Sequence, residues 1–334
     1  QCLKRSIRRS KEFANLVGGI RTRRLAELID AELPEKKDIR KRALKIMDKC
    51  GIKSTGTGDN SDMLIFTTRQ AVYKMAEALA ETVDDDIAAE IFKGIITNCV
   101  HVPDIALAGR MLETGEIKDT HVEASLQVAH AISTHEARPE IDYYVAVDDI
   151  PGEDAGAGYV DEALFSSACF YKYFSIDWEQ LVTNLEGDQK LAAHTVGAYL
   201  LAATMANPSG KQNSFAAHNL PDAILVEIKE NPVSYANAFV LPVSPSKDCD
   251  IVTRSIGNLA DYAYDLKIGY NLSTRAFWFS PNLRHKLEPY NDEKKGESIA
   301  QTSLKCLDDL VKAVLKELDF DWEEVRQIRP VAGD

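Results

Sequence analysis

None of the six cysteines, Cys2, Cys50, Cys99, Cys169, Cys249 and Cys306, stands at CxxC spacing from another. Thiols scattered this way argue against a zinc ribbon and against a disulfide framework. Reduced cysteines in a cytoplasmic protein are the simpler expectation. The longest apolar stretch, around Gly197–Ala206, is far short of the roughly 20 residues that cross a bilayer. The first ten residues lack a signal-peptide pattern. There is no internal repeat, no GxGxxG and no phosphate-loop motif, so the usual nucleotide-enzyme signatures are missing. An apolar content of 45% is nevertheless enough for one large domain or two to three smaller modules, each with a core.

The formal net charge of −13 argues against a nucleic-acid partner until its distribution is read. Residues 1–53 hold 16 Lys/Arg and 7 Asp/Glu, a net of +9, and the other 281 residues therefore carry −22. This asymmetry predicts a cationic surface on an acidic body. For Glu35–Lys49 a solvated helical face with i, i+4 ion pairs is an equally good explanation. The opening segment QCLKRSIRRS is the sharper case. On a helix Lys4, Arg8 and Lys11 form one cationic stripe at i, i+4 and i+7, while Leu3 and Ile7 pack down on another face.

Periodicity predicts helices over residues 1–17, Arg21–Leu33, Lys36–Cys50, Thr67–Val83 and Asp86–Thr97, with Ser54–Ser61 a polar loop. The region from 20 to 100 thus reads as all-helical. Strands are expected over Glu123–His135, Ile141–Val147, Leu164–Tyr173 and Ala223–Ile228. Pro151–Glu162 reads as a Gly-rich, acidic loop. Further helices are predicted at Asp188–Ala206, Ile251–Leu266 and Ser298–Leu318. Strands around helices with a long helical insertion make the class α+β.

His121, His130 and His135 crowd one segment near Asp142, Asp148 and Asp149. No cysteine or carboxylate stands at ligand spacing beside them, so neither a metal site nor a catalytic group is expected. Adjacent tyrosines on a strand point to opposite faces, so one of Tyr143 and Tyr144 could be displayed to stack on a nucleobase. Asp104–Met111, DIALAGRM, ends in a glycine that permits close backbone approach, a forked donor at Arg110 and a flexible apolar wedge at Met111.

Six blocks together carry a resemblance: QCLKRSIRRS, DIALAGRM, AHAISTHEARPEIDYYVAVDD at 129–149, FSSACFYKY at 165–173, KQNSFAAHN at 211–219 and SYANAF at 234–239. In this order they resemble the CasC family, backbone subunits of the type I-E CRISPR surveillance complex called Cascade. The resemblance implies a modified RNA-recognition-motif (ferredoxin-like) palm at 1–12, 106–135 and 164–334, helical fingers at 13–105 and a thumb hairpin at 136–163. It also implies a non-enzymatic role without cofactor or metal. Copies would stack along one guide RNA (crRNA) in the cytoplasm, beside other Cascade subunits, and present the guide for pairing with target DNA. By motif, Gln1, Lys4, Arg5 and Arg8 would grip guide phosphates. Met111, after Arg110 with its forked phosphate donor, would wedge between bases, and Tyr143 and Tyr144 would buttress a kinked base. Lys211 and Gln212 would add polar contacts to RNA or to a neighbouring thumb.

Two departures from the family stand out. Its first palm strand and a basic, Gly-containing loop precede the point where this chain begins, so the resemblance implies an N-terminally truncated palm. The family's lysine-rich finger helix reads VDDDIAAEIFKG here, with Lys93 its single base, leaving Lys36, Lys37, Arg40 and Lys41 as substitutes toward DNA. Two other classes compete: a ribonuclease that processes guide precursors with His130 or His135, and a helical module whose basic N-terminus binds an acidic protein.

Overall fold

The computed structural model describes residues 7, 10, 11, 13, 16, 18–55, 59–118, 120–147, 157–208, 210–247, 249–289, 299–300 and 302–328. Its strands are β1 (Gly19–Thr22), β2 (Ile65–Thr68), β3 (Leu126–Val128), β4 (Ile132–Ser133), β5 (Glu140–Val147), β6 (Ala157–Phe165), β7 (Phe170–Tyr171), β8 (Phe174–Ile176), β9 (Ile224–Ile228), β10 (Arg275–Phe279) and β11 (Thr302–Leu304). The class is α+β: small, mostly antiparallel sheets among helices. The chain divides into two compact units. One comprises residues 1–128, 174–221 and 307–334, the other 129–173 and 222–306.

In the first unit a helical block is built from Leu25–Glu32, Ile39–Lys49, Arg69–Glu81 and Asp85–Asn98. Their apolar faces meet in one core that includes Leu25, Ile29, Ile46, Met47, Met75, Leu79, Phe92 and Ile96. Local chemistry sets the ends. Thr68 caps the third helix through Ala71 N, and Asp84 caps the fourth through Asp86 N and Ile87 N. Each such cap stabilises by about 1 kcal/mol.

The expectation of an all-helical stretch from 20 to 100 is corrected here. Residues 19–22 pair antiparallel with 65–68, Gly19 opposite Thr68. The predicted helix over Arg21–Leu33 accordingly starts at Leu25, and the one over Thr67–Val83 starts at Arg69. The backbone groups of Ile20–Thr22 find partners more than forty residues away, which local periodicity does not register. The helix expected over 1–17 falls mostly outside the described residues. Of that segment, Ile7, Ser10, Lys11, Phe13 and Leu16 are described, and Ile7, Phe13 and Leu16 are buried.

A second core in the same unit surrounds the helix Gln189–Met205, capped by Asp188 through Leu191 N. This helix is apolar all round and is buried along most of its length, as that pattern requires. Trp322, from the short helix Trp322–Val325, lies against it at Gly197; a Cβ there would fall inside the indole ring's van der Waals contact. The sheet β3–β8 packs against the same core through Leu126, Val128, Phe174 and Ile176.

The second unit holds the β5–β6 hairpin, the short ladder β4–β7 at its root, and a sheet ordered β11-β10-β9 backed by the helix Ile251–Gly269. Its core contains a buried ion pair. Glu227 and Lys229 approach to 2.7 Å, and Tyr235 Oη donates to Glu227 at 2.8 Å.

Four sequence expectations change in or beside this unit. The predicted strand Glu123–His135 is two short strands, β3 and β4. Residues 157–162 of the expected Pro151–Glu162 loop belong to β6, and the predicted strand over Leu164–Tyr173 is divided between β6 and β7. The predicted helix Ser298–Leu318 contains β11 and begins only at Leu307, so Leu304 lies in a strand beside Phe279.

Candidate nucleic-acid interface

The basic segment after Pro34 is largely committed to neighbouring acids and carbonyls. Arg42 bridges from its helix to Asp85 at 2.9 Å and donates to Leu79 O, Thr82 O and Val83 O. Lys45 pairs with Asp85 at 2.8 Å, and Lys49 pairs with Asp86. Lys45 first, then Arg42, hold the Asp85 carboxyl down at about 2. The run Asp84-Asp85-Asp86 therefore caps the helix Asp85–Asn98 and ties it to the helix Ile39–Lys49. Lys93 is occupied by Glu90 and Glu116. Of the proposed DNA-facing substitutes, Lys36 donates to Ala80 O, Arg40 pairs with Asp59 and Lys41 with Asp38. Lys37 is exposed.

Gln1, Lys4, Arg5 and Arg8 lie outside the described residues, as do Asp148 and Asp149. Lys11, the last base of the expected stripe, is exposed.

Gly109, Arg110 and Met111 form the best-defined part of the site. Gly109 ends the helix Pro103–Ala108 at φ 73°, where a Cβ would lie 2.8 Å from the carbonyl oxygen of Val122. Only glycine allows that approach. Arg110 then exchanges both backbone hydrogen bonds with Val122. Its guanidinium turns inward and donates to Ile96 O at 2.8 Å, Thr120 O at 3.0 Å and Thr97 O at 3.3 Å. Ile96 and Thr97 belong to the last turn of Asp85–Asn98, so a buried cation caps the negative end of that helix. Burial pulls the guanidinium below its ordinary value; at neutral pH it still carries its proton. With its fork turned to carbonyls, Arg110 is in no position to meet a phosphate. Met111, the next residue, is 78% exposed. The sequence pattern singled out both residues without separating the anchor from the displayed side chain.

Tyr143 and Tyr144 fall on opposite faces of β5, in the second unit. The Tyr143 face carries Ile141 opposite Leu164, Tyr143 opposite Glu162 and Val145 opposite Val160. Every one of these apolar side chains is at least half exposed. On the other face Tyr144 Oη donates to Asp161 at 2.9 Å. Carboxylates beside both rings repel phosphate, so either ring can offer only its π-face or apolar edge. Sequence reading missed the far strand's share of this surface, Val160 and Leu164. In AGYVDEALF the acids stand side by side between apolar residues, so no period-2 alternation marks the strand in the sequence.

Lys211 and Gln212 belong to the same unit as Arg110 and Met111. Lys211 is exposed at φ 59°, and the Gln212 amide nitrogen donates to Pro208 O and Ala217 O within its own loop.

At the hairpin root, Cys169 N donates to His135 Nε2 at 3.0 Å while His135 Nδ1 lies 2.8 Å from Glu136 O. Both ring nitrogens are engaged, with Nδ1 carrying the proton, which leaves that ring no free nitrogen for proton transfer. Among the described residues no cluster of three or more His, Cys, Asp or Glu is placed to hold a metal, and no helix is long and apolar enough to cross a membrane.

The fold is similar to that of a chain described as "CRISPR RNA-guided surveillance complex, pre-nicking": TM-score 0.80, 24% identity, 95% of this chain and 89% of that one covered. A second similar structure, "CRISPR RNA-guided surveillance complex", gives TM-score 0.55 and 30% identity over 65% of this chain and 78% of that one. No curated protein matches the sequence. The family model for CT1975-like protein matches residues 1–313. With a match across nearly its whole length, this chain belongs to the CT1975-like protein family.

Proposed function

We propose that this chain is a non-enzymatic, guide-RNA-binding backbone subunit of a type I-E CRISPR surveillance complex. Copies assemble along one guide and present it for pairing with target DNA, beside other subunits of the complex in the cytoplasm. The palm is a modified RNA-recognition-motif sheet, the fingers are the block containing Leu25–Asn98, and the thumb is the β5–β6 hairpin. The observation that carries this reading is that hairpin. An isolated two-stranded ribbon is marginal in water, yet this one displays Ile141, Tyr143, Val145, Val160 and Leu164 to solvent. Such a surface calls for a partner. A neighbouring copy along a shared RNA supplies one at every step. The likeness to chains of RNA-guided surveillance complexes supports the same reading.

The grip must accept any guide, so it rests on phosphates and on non-specific wedging by Met111 rather than on base edges. Expression with and without a guide tests the proposal. The protein purified with guide should carry RNA, absorb strongly at 260 nm and sediment as a multimer. RNA-free monomer from guide-expressing cells would refute it.

A further inference from the structure

The hairpin β5–β6 is a sheet of two strands, so its direction is set where it joins the rest of its unit. That root is the ladder β4–β7, in which Ile132 lies opposite Tyr171. Two residues tie the root down. Thr134, 3% exposed, donates from its backbone N to Cys169 O and accepts from Val243 N, both at 2.9 Å. Its hydroxyl lies 2.9 Å from Ser255 Oγ on the helix Ile251–Gly269. Tyr171 Oη accepts from Tyr235 N at 2.9 Å, and its ring packs on Phe239 with centroids 5.4 Å apart.

Tyr235 is held from behind. Its hydroxyl accepts from Lys229 Nζ at 3.0 Å and donates to Glu227 at 2.8 Å. Burial first, then the Glu227 carboxylate, raise that hydroxyl far above its ordinary value, so it stays a donor. Glu227 and Lys229 stand two residues apart and therefore share a face, where they pair at 2.7 Å with both side chains buried. Charges paired at such depth add little stability, because desolvation offsets their attraction; apolar side chains of similar volume often do as well or better. Apolar packing, however, is non-directional, whereas hydrogen bonds to one hydroxyl fix where its ring sits. A buried charge pair aimed at one tyrosine hydroxyl therefore points to orientation more than to stability.

We infer that the Glu227–Lys229 pair is a device for aiming the hairpin, with Tyr235 as the positioning residue that passes its constraint through Tyr171 to the root. This rests on the hairpin being the thumb, as proposed above, and adds what gives it a fixed direction. A ribbon that must meet a neighbouring copy at every step along a guide loses contact if its root swings, even while its own strands stay paired.

The test replaces the whole network with apolar groups in the full chain: Glu227→Met, Lys229→Met and Tyr235→Phe together. Removing all the partners at once leaves no buried polar group of the network unpaired, so the melting temperature should hold or rise. Hydrogen exchange in peptides covering residues 132–135 and 166–173 should nevertheless become about ten-fold faster, and multimers purified with guide should shorten in sedimentation. A residue that merely stabilises would not give this split between melting and root exchange. Tyr235→Phe alone, which keeps the charge pair, should move exchange and sedimentation in the same direction, and it carries the test if the triple variant fails to fold. Unchanged root exchange overturns the inference and leaves the guide-RNA scaffold standing. Faster exchange throughout the unit with a lowered melting temperature makes the network an ordinary stabiliser and also overturns it. A parent that forms no RNA-bound multimer overturns the scaffold reading and this inference with it.

Discussion

Arg110 and Met111 are chain neighbours with opposite environments: the arginine is 2% exposed and the methionine 78%. The buried guanidinium closes the end of the helix Asp85–Asn98, and the paired backbone bonds to Val122 fix the point from which Met111 projects. A flexible side chain on a rigid mount is what a wedge between bases needs.

That division separates stability from binding. Arg110→Lys keeps the charge but loses the fork, and should destabilise the protein by about 3 kcal/mol in urea unfolding because helix-end carbonyls lose their donors. Met111→Ala should leave the urea midpoint unchanged and weaken RNA binding several-fold. A stable Arg110→Lys protein with lost RNA binding would reverse the assignment.

The helical block Leu25–Asn98 should be acid-sensitive through Asp85. Lys45 and Arg42 depress its carboxyl to about 2, against about 3.9 in an unfolded chain. A depressed folded value contributes stability that is fully present above pH 4 and is lost as the pH falls from 4 through 2. Asp85→Asn should be less stable than the parent at pH 7, and the two should converge near pH 2. Thermal melts across that range read the difference; parallel curves would remove Asp85 from the account.

The hairpin's exposed face should matter for assembly and not for folding. Val160→Asp and Leu164→Glu replace side chains that are 59% and 72% exposed, so the melting temperature should move little. The size of RNA-bound multimers in sedimentation should collapse toward one copy per guide fragment. Unchanged multimers would show that this surface does not join copies.

Gly197→Ala pits two effects against each other. Alanine in a helix interior ordinarily gains about 1 kcal/mol. Here its methyl would press into the Trp322 ring and approach Leu315 Cδ1 to 3.1 Å in a packed core. Overpacking of this kind costs about 1–3 kcal/mol, so net destabilisation is expected. Denaturant unfolding decides the sign, and a stabilised variant would mean that Trp322 moves aside freely.

Where local chemistry suffices, sequence and structure coincide. The helix Gln189–Met205 begins one residue after Asp188 as its cap demands, and β5 occupies the aromatic and β-branched run that announced it. Where partners are remote, local reading fails. Residues 19–22 and 65–68 have no strand signal strong enough to outweigh the helical pattern beside them, and only their mutual pairing makes them strands. Thr302–Leu304 is a strand because β10 lies next to it.

The candidate site divides along the same line. Residue types and their order were enough to single out Arg110, Met111, Tyr143 and Tyr144, because forked donors, flexible apolar chains and rings are chemical facts of composition, whereas Lys211 and Gln212 were marked only by the family resemblance. Which of them face outward was decided by tertiary structure. Arg110 turned inward because the end of the helix Asp85–Asn98 arrives beside it, and Gln212 turned to its own loop because that loop closes. The sequence alone determined what each side chain could do; the folded chain decided which of them remained available, since a donor bonded to a carbonyl is no longer offered to a ligand.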